Sequence, residues 1–430
     1  MQKIRLIIVT LVAAAAPLHG QTLSFQQTFG GAGFDRGEGV AVAPDGSIYV
    51  VGETNSFSAG GDEDILLLKY APDGTLLLQK TYGTSGPVNS EFGNGIAVAP
   101  DGSVYVCGDS ADSKALLAKF DASLNLIWQR TWGGTLGETA LGVAVSGDGA
   151  SAYITGQTLS FGAGNIDAFL VKFDAAGNLV WQRTWGGPVN ETGQAVTVAA
   201  DGSIYMAGDG NSFFGNDAIL VKFSPAGAVL WDRDWRGGTG QNDESAALGV
   251  RTASDGSVYM TGRASIAGSG QNAALVKLTP DGALLWNKTW GSGLDAALGV
   301  TIAPGGNVFM TGNTGLGAGG GDAFVVGFQP SGKSVEAATW GGTGNESGEA
   351  ITAAADGSLY VAGVASAPPY VFAKAVKVSK SPKGAVLATP NGTVTDPGVA
   401  AGTPAGVVTT INGSATFAGN IDAFLIKVIP

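Results

Sequence analysis

Carboxylates are the reactive groups that this sequence repeats. An acid recurs about every fifty positions, at Asp35, Glu91, Glu138, Glu191, Glu244, Asp295 and Glu346, each about four residues ahead of a run of small side chains. A second set, Asp64, Asp167, Asp217, Asp322 and Asp422, follows loops rich in Gly or Asn, such as Gly60-Gly61-Asp62-Glu63. Carboxylates gathered on one face can hold a cation, attract a basic ligand, or act as an acid–base pair on a glycosidic bond. Ca²⁺ is the metal such loops would suit, although none has the alternating Asp/Asn spacing of an EF-hand. No other cofactor is expected, and no catalytic residue is assigned. The structural use of the same residues is to accept hydrogen bonds from N–H groups of their own loops. Recurrence in nearly every unit favours that use, because sites are usually asymmetric while scaffold devices repeat. One-off acids are where catalysis would show, and only Asp62 with Glu63 and Asp243 with Glu244 break the pattern.

Other chemistries are excluded by composition. The one histidine is His19 and the one cysteine is Cys107. Met1 to Gly20 reads as a secretory leader, with Lys3 and Arg5 ahead of the apolar run Leu6 to Ala16 and a small residue before Gln21. With His19 in that leader, the mature chain lacks the parts for a Ser-His-Asp or Cys-His pair, a zinc site or a disulfide. Cys107, after Tyr105-Val106, reads as a small buried apolar residue. A formal charge of −12 argues against a nucleic-acid partner. Glycine fills 70 of 430 positions and charged residues only 13%, which suits a glycine-punctuated folded chain and excludes disorder. The expected product is an exported monomer without a membrane span, in the periplasm, outside the cell or on its surface.

The positioning elements follow from the repeat. Trp-Gly-Gly or a close relative begins at Phe29, Tyr82, Trp132, Trp185, Trp235, Trp290 and Trp340, and a further step lands on Thr389-Pro390-Asn391-Gly392. The clearest unit carries strand signals at Gln194 to Ala199, Ser203 to Gly208, Asp217 to Phe223 and Ala228 to Trp235. Its turns, Ala200-Asp201-Gly202 and Ser224-Pro225-Ala226-Gly227, have glycine where a tight hairpin needs positive φ. Four short antiparallel strands per repeat describe a β-propeller blade. The register predicts one propeller over residues 22–430, with about eight blades, or seven with an insertion as the alternative. Thr22 to Phe29 reads as a fourth strand with no blade of its own, and Asp422 to Val428 as a third strand with no fourth after it. Their pairing would close the ring.

The pattern Asp167-Ala168-Phe169-Leu170-Val171-Lys172-Phe173, then Gly177-Asn178-Leu179, then Trp185-Gly186-Gly187, resembles the bacterial SBBP β-propeller repeat over essentially the whole mature chain. The resemblance implies a secreted or surface protein of bacterial type and brings no established activity or catalytic residues. SBBP proteins are nominally seven-bladed, from which eight units would be a departure. A weaker resemblance links strands such as Lys222 to Trp231 to quinoprotein-like propellers. Their cofactor-binding constellation is absent here, and their vicinal disulfide is impossible with one cysteine.

The leading expectation is a non-enzymatic binding or scaffold module for an unknown protein, glycan or cationic ligand. The alternatives are a glycan-active enzyme using carboxylates alone and a quinone-dependent oxidoreductase. Trp128, Arg130 and Trp132 share one strand face, so that arginine and its counterparts Arg183 and Arg233 should lie over indoles between blades. Lys69, Lys119, Lys172, Lys222, Lys277, Lys377 and Lys427 recur in strand three, with Gly327 the exception, and read as stems crossing the sheet toward water. Ser366 to Gly419 lacks the regular acids and tryptophans. It reads as a decayed blade, or alternatively as a contact surface carrying Lys374, Lys377, Lys380 and Lys383.

Overall fold

The computed structural model describes residues 22–58, 61–84, 90–212, 215–237, 244–266, 270–316, 320–366 and 421–430, and the strands 371–374, 385–387, 393–395 and 407–410. Every regular element among them is a strand, and no helix is long and apolar enough to cross a membrane.

Seven antiparallel sheets form seven blades. Blade 1 runs Asp35–Val42, Ile48–Thr54, Asp64–Tyr70 and Leu76–Gly83; blade 2 runs Phe92–Val98, Val104–Asp109, Ala115–Phe120 and Leu126–Trp132. Blade 3 is Glu138–Val145, Ser151–Thr158, Asp167–Asp174 and Leu179–Gly186; blade 4 is Glu191–Val198, Ile204–Ser212, Gly215–Phe223 and Val229–Arg236. Blade 5 is Ser245–Thr252, Val258–Ile266, Gly270–Leu278 and Leu284–Gly293; blade 6 is Ala296–Ile302, Val308–Thr314, Asp322–Phe328 and Ser334–Gly341. Blade 7 takes Glu346–Ala353 and Leu359–Ala365, then Asp422–Ile429, and its fourth strand is Thr22–Phe29 from the other end of the chain. The expected closure is therefore present, with Thr22 opposite Ile429 and Phe29 opposite Ala423.

The expectation of eight blades is corrected to seven. The Phe29 motif ends the last blade, so the seven Trp-Gly-Gly motifs account for seven blades. Leu359–Ala365 pairs directly with Asp422–Ile429, so Ser366 to Gly419 is an excursion between strands two and three of blade 7, not a decayed blade. The four short strands described within it pair with the fourth strands of other blades. Val371–Lys374 lies on blade 6, Ala385–Leu387 on blade 4, Thr393–Thr395 on blade 3 and Val407–Thr410 on blade 1. Thr389 to Gly392 and Lys377, Lys380 and Lys383 lie outside the described residues.

Apolar burial between blades holds the ring together. Strands two and three are buried along nearly their whole length because a blade covers each face, as in Ile65 to Leu68 at 0–1% exposure. Trp132, Trp185, Trp290 and Trp340 are fully buried near the end of strand four, and Trp132, Trp290 and Trp340 lie against Phe169, Phe324 and Phe424 of the next blade at 4.3–4.5 Å between centroids. The arginines fall as expected, with Arg130, Arg183 and Arg233 5.2–5.6 Å from the rings of Trp128, Trp181 and Trp231. The strand-three lysines do more than run toward water. Lys277 sits 5.1 Å from the Tyr259 ring and donates to the Pro330 carbonyl in a turn of the next blade, 3.2 Å away. Lys69, Lys119, Lys222 and Lys427 repeat that arrangement onto Ala122, Ala175, Pro280 and Pro72. Gly327 departs for a physical reason: blade 6 has Phe309 where the others have tyrosine, and a Cβ on Gly327 would lie 2.5 Å from that ring. Cys107 is buried as expected, and burial pushes its thiol pKa up.

Candidate functional site

Loops from strand four to strand one, and from strand two to strand three, open on one face, and both recurrent acid sets lie there. Asp35, Glu91, Glu138, Glu191, Asp295 and Glu346 are buried at the start of strand one, at 0–6% exposure, between their own blade and the preceding one. Each binds its own loop: Asp35 accepts from the Gly31 N–H at 2.8 Å, Glu138 from Gly134 at 3.0 Å, Glu191 from Gly187 at 3.0 Å and Glu346 from Gly342 at 2.8 Å. Asp295 accepts from Ser292 and Gly293, and Glu91 from the amide and hydroxyl of Thr84. Glu244 does not belong to this set. It is exposed, and Ser245 takes the position instead, its hydroxyl accepting from the Gly237 N–H at 3.0 Å.

The strand-three acids Asp64, Asp167, Asp217, Asp322 and Asp422 are also buried. Four of them reach the same spot as the strand-one acid of the next blade, above the glycine that ends strand four. A Cβ on Gly83 would lie 1.9 Å from Asp64 Oδ1 and 3.1 Å from Glu91 Oε2. At Gly186 the oxygens belong to Asp167 and Glu191, at Gly341 to Asp322 and Glu346, and at Gly30 to Asp422 and Asp35. Burial pushes Glu91 up to about 7, with Asp64 and Asp62 adding to it against the Thr84 bonds. Burial likewise takes Glu191 to about 7, and burial with the nearby Asp35 takes Asp422 to about 7. The other three junctions replace one partner. Lys114 faces Glu138, Asn272 stands on the Asp295 side, and Arg236 grips Asp217 through two bonds of 2.5 Å where other blades have the glycine. Of the one-off acids, Asp62 is 7% exposed and Glu63 accepts from the Ser90 hydroxyl at 2.6 Å. Asp243 lies outside the described residues.

A second set of equivalent positions lies on the innermost strands, and no recurrence in the sequence marks it. Strand one of every blade has a bulge, and the residue skipped in the pairing is Glu38, Asn94, Leu141, Gln194, Leu248, Leu298 or Glu349. Bulges re-aim side chains and recur beside functional sites. Each is partly exposed on the innermost strand, which packs on the innermost strands of both neighbouring blades. A glycine in strand two makes room for the bulge: a Cβ on Gly52, Gly108, Gly156, Gly208, Gly262, Gly312 or Gly363 would lie 1.7–1.9 Å from a strand-one carbonyl oxygen. The available sequence signal was one variable residue between two small ones, as in Gly37-Glu38-Gly39 and Gly93-Asn94-Gly95.

Identity within this set is asymmetric. Glu349 and Glu38 come from adjacent blades 7 and 1, with Glu53 and Asp109 at the ends of strand two in blades 1 and 2. Arg36 lies 3.6 Å from Glu38 and 3.4 Å from Glu53. Burial and then the Glu349 charge push Glu38 up to about 7 against the pull of Arg36. Burial also raises Glu349 and Glu53, and takes Asp109 to about 7. Blades 3, 5 and 6 place leucines at the same positions. The loops of this face also expose Leu136 at 69% and Leu294 at 79%.

Residues 43–76 match a family described as a domain of unknown function, DUF5122, beta-propeller. A regulatory protein, FlaEY, of Caulobacter vibrioides is 26% identical over 171 residues, which are 33% of this chain and 17% of that protein. The crystal structure of a puromycin hydrolase mutant superposes with a TM-score of 0.48 and 14% identity, over 78% of this chain and 51% of the other. The chain thus spans about a sixth of the curated relative and about half of the solved structure. Blade geometry and the matched segment together make this chain a seven-bladed β-propeller repeat protein.

Proposed function

We propose that this protein is an exported, non-enzymatic binding module whose ligand presents positive charge and apolar surface to the mouth of the central ring. The observation that carries this reading is that seven equivalent bulge positions hold different chemistry. A scaffold device would repeat, whereas acids gather on blades 7 and 1, with Glu53 and Asp109 beside them, and leucines occupy blades 3, 5 and 6. Four carboxyls against Arg36 make the acidic side attractive to ammonium or guanidinium groups. The leucines of blades 3, 5 and 6, the last of them on the blade next to Glu349, suit the apolar part of the same ligand, with Leu136 and Leu294 on the loops of the same face. A basic protein segment has both properties. The ligand in this reading is an organic cation, and Ca²⁺ is the alternative the same titration can include.

The test is a calorimetric titration of the full chain with poly-lysine and with spermine, using neutral dextran as the control. Binding that weakens with added salt and drops at least about tenfold in a Glu38→Gln/Glu349→Gln variant supports the reading. Binding unchanged by that substitution overturns it. A second reading has one observation behind it: Glu38, held up near 7 beside Glu349, is a carboxyl suited to general acid work. Release of reducing sugar from a glycan panel, lost in Glu38→Gln, would establish that reading and displace the first.

A further inference from the structure

We propose that the paired carboxyls between blades are proton latches, each pair sharing a proton that ties two neighbouring blades together in acid and loosens the ring when it leaves. This goes beyond the ligand reading and uses a different part of the molecule.

The geometry begins at glycine. Two carboxyl oxygens from different blades converge over Gly83, Gly186, Gly341 and Gly30, so every such pair spans a blade junction. At Gly186 the two oxygens lie 2.2 and 2.5 Å from one point, and at Gly341 2.0 and 2.7 Å. Each pair of oxygens is thereby held within about 5 Å; two anions at that range, out of water, repel, and one retained proton removes the repulsion. Asp422 is the plainest case. It is 0% exposed, neither of its oxygens has a hydrogen-bond partner, and the charge bearing on it is Asp35. Asp35 in turn accepts from Gly31, Thr54 and Ser56. At the next junction Glu91 is 2% exposed with Oε2 unpartnered, and it faces Asp64 and Asp62, with Thr84 donating to its other oxygen and the buried Tyr82 beside it. Asp167 and Glu191 face each other and the amides of Ala163, Gly164 and Gly187.

The remaining three junctions support the same reading by contrast. Wherever the two-carboxyl arrangement is broken, the replacement removes the need for a proton. Lys114 supplies a cation to Glu138, Arg236 supplies one to Asp217 while Ser245 replaces the acid, and neutral Asn272 takes the strand-three position in the blade before Asp295.

The sign follows from linkage. Glu91, Glu191 and Asp422 hold their protons to about 7 in the folded chain, well above an ordinary carboxyl. The folded state binds more protons than the unfolded chain between those values. Stability from these groups is therefore full below about pH 4, the ordinary carboxyl range, and is lost as pH rises through about 7.

The test is thermal unfolding of the full chain from about pH 5 to about pH 8, for wild type and three variants. The wild-type midpoint should fall by several degrees across that range. Glu91→Gln and Glu191→Gln keep the shape and supply a permanent donor, so each should raise the midpoint at the alkaline end and flatten the slope. Glu138→Gln, at the lysine-compensated junction, should lower the midpoint without flattening it. If the three variants behave alike, or the wild-type midpoint is level, the proposal is overturned. Carboxyl ¹³C shifts of labelled glutamate give a readout independent of variant folding. Two glutamates that stop titrating near neutrality in the respective variants support the latches, and titration of Glu91 and Glu191 wholly below pH about 5 overturns them.

Discussion

The indole N–H of Trp340 donates to the side-chain carbonyl of Gln26, 2.9 Å away in space and 314 positions away in sequence. The bond repeats one between Trp132 and Gln182 in consecutive blades, at 2.7 Å. The N-terminal strand therefore occupies the place of an ordinary fourth strand, down to the side-chain bond made by its neighbour's tryptophan.

Removing Thr22–Phe29 should expose the edge of Asp422–Ile429 and leave Trp340 without its partner. The expected outcome in scanning calorimetry is an early, broad transition, and an unchanged melt would contradict the closure. Gln26→Ala alone should cost only about 1 kcal/mol, the usual net value of one hydrogen bond, read from the denaturant midpoint.

Gly156→Ala places a Cβ 1.8 Å from the Thr139 carbonyl oxygen inside a blade. Backbone cannot yield there without undoing the bulge, so the loss should reach about 3 kcal/mol or more. Gly147→Ala, with nothing within 4 Å, should be close to neutral in the same urea titration.

Lys277→Met keeps the apolar stem and removes the ammonium that lies over Tyr259 and bonds Pro330. A loss of about 1–2 kcal/mol is expected from the cation–π contact and the charged hydrogen bond together. Lys333→Met, on an exposed turn, should change the unfolding midpoint little.

Affinity for poly-lysine should rise with pH. Glu38 is protonated below about 7, so the acidic side of the mouth gains negative charge as pH climbs through neutrality. The same deprotonation costs stability, because the folded value lies above the unfolded one. Titrations at several pH values should show the rise in wild type and a flatter profile in Glu38→Gln.

The repeat was legible because its signals are local. Asp201-Gly202, Pro225-x-Gly227 and the strand-four tryptophans lie within one hairpin of the structure they specify, and Gly202 and Gly227 have the positive φ their turns require. Ring closure was legible too, since Thr22–Phe29 spells a fourth strand. Blade number was not, because nothing within Ser366 to Gly419 tells a decayed unit from an excursion. Only the pairing of Leu359–Ala365 with Asp422–Ile429 does so. The acids were found by recurrence, but the partner of Glu91 is Asp64 of the preceding blade, a contact no spacing rule announces. The set on the innermost strands was missed for the opposite reason. Glu38, Asn94 and Leu141 share a backbone position and no chemistry, so a search for repeated residues passes over them.

Because blade 7 is built from the first strand of the ring and the last, the fold also registers its own synthesis. Thr22–Phe29 leaves the ribosome before any other blade strand, and its partner Asp422–Ile429 leaves after all of them. Six blades can assemble in order as they emerge. Throughout that time the first strand has no sheet to join and the growing arc keeps an open end. A chain that stops before Asp422 would thus yield an unclosed arc rather than a slightly shorter ring, with two bare sheet edges for proteases and chaperones to recognise.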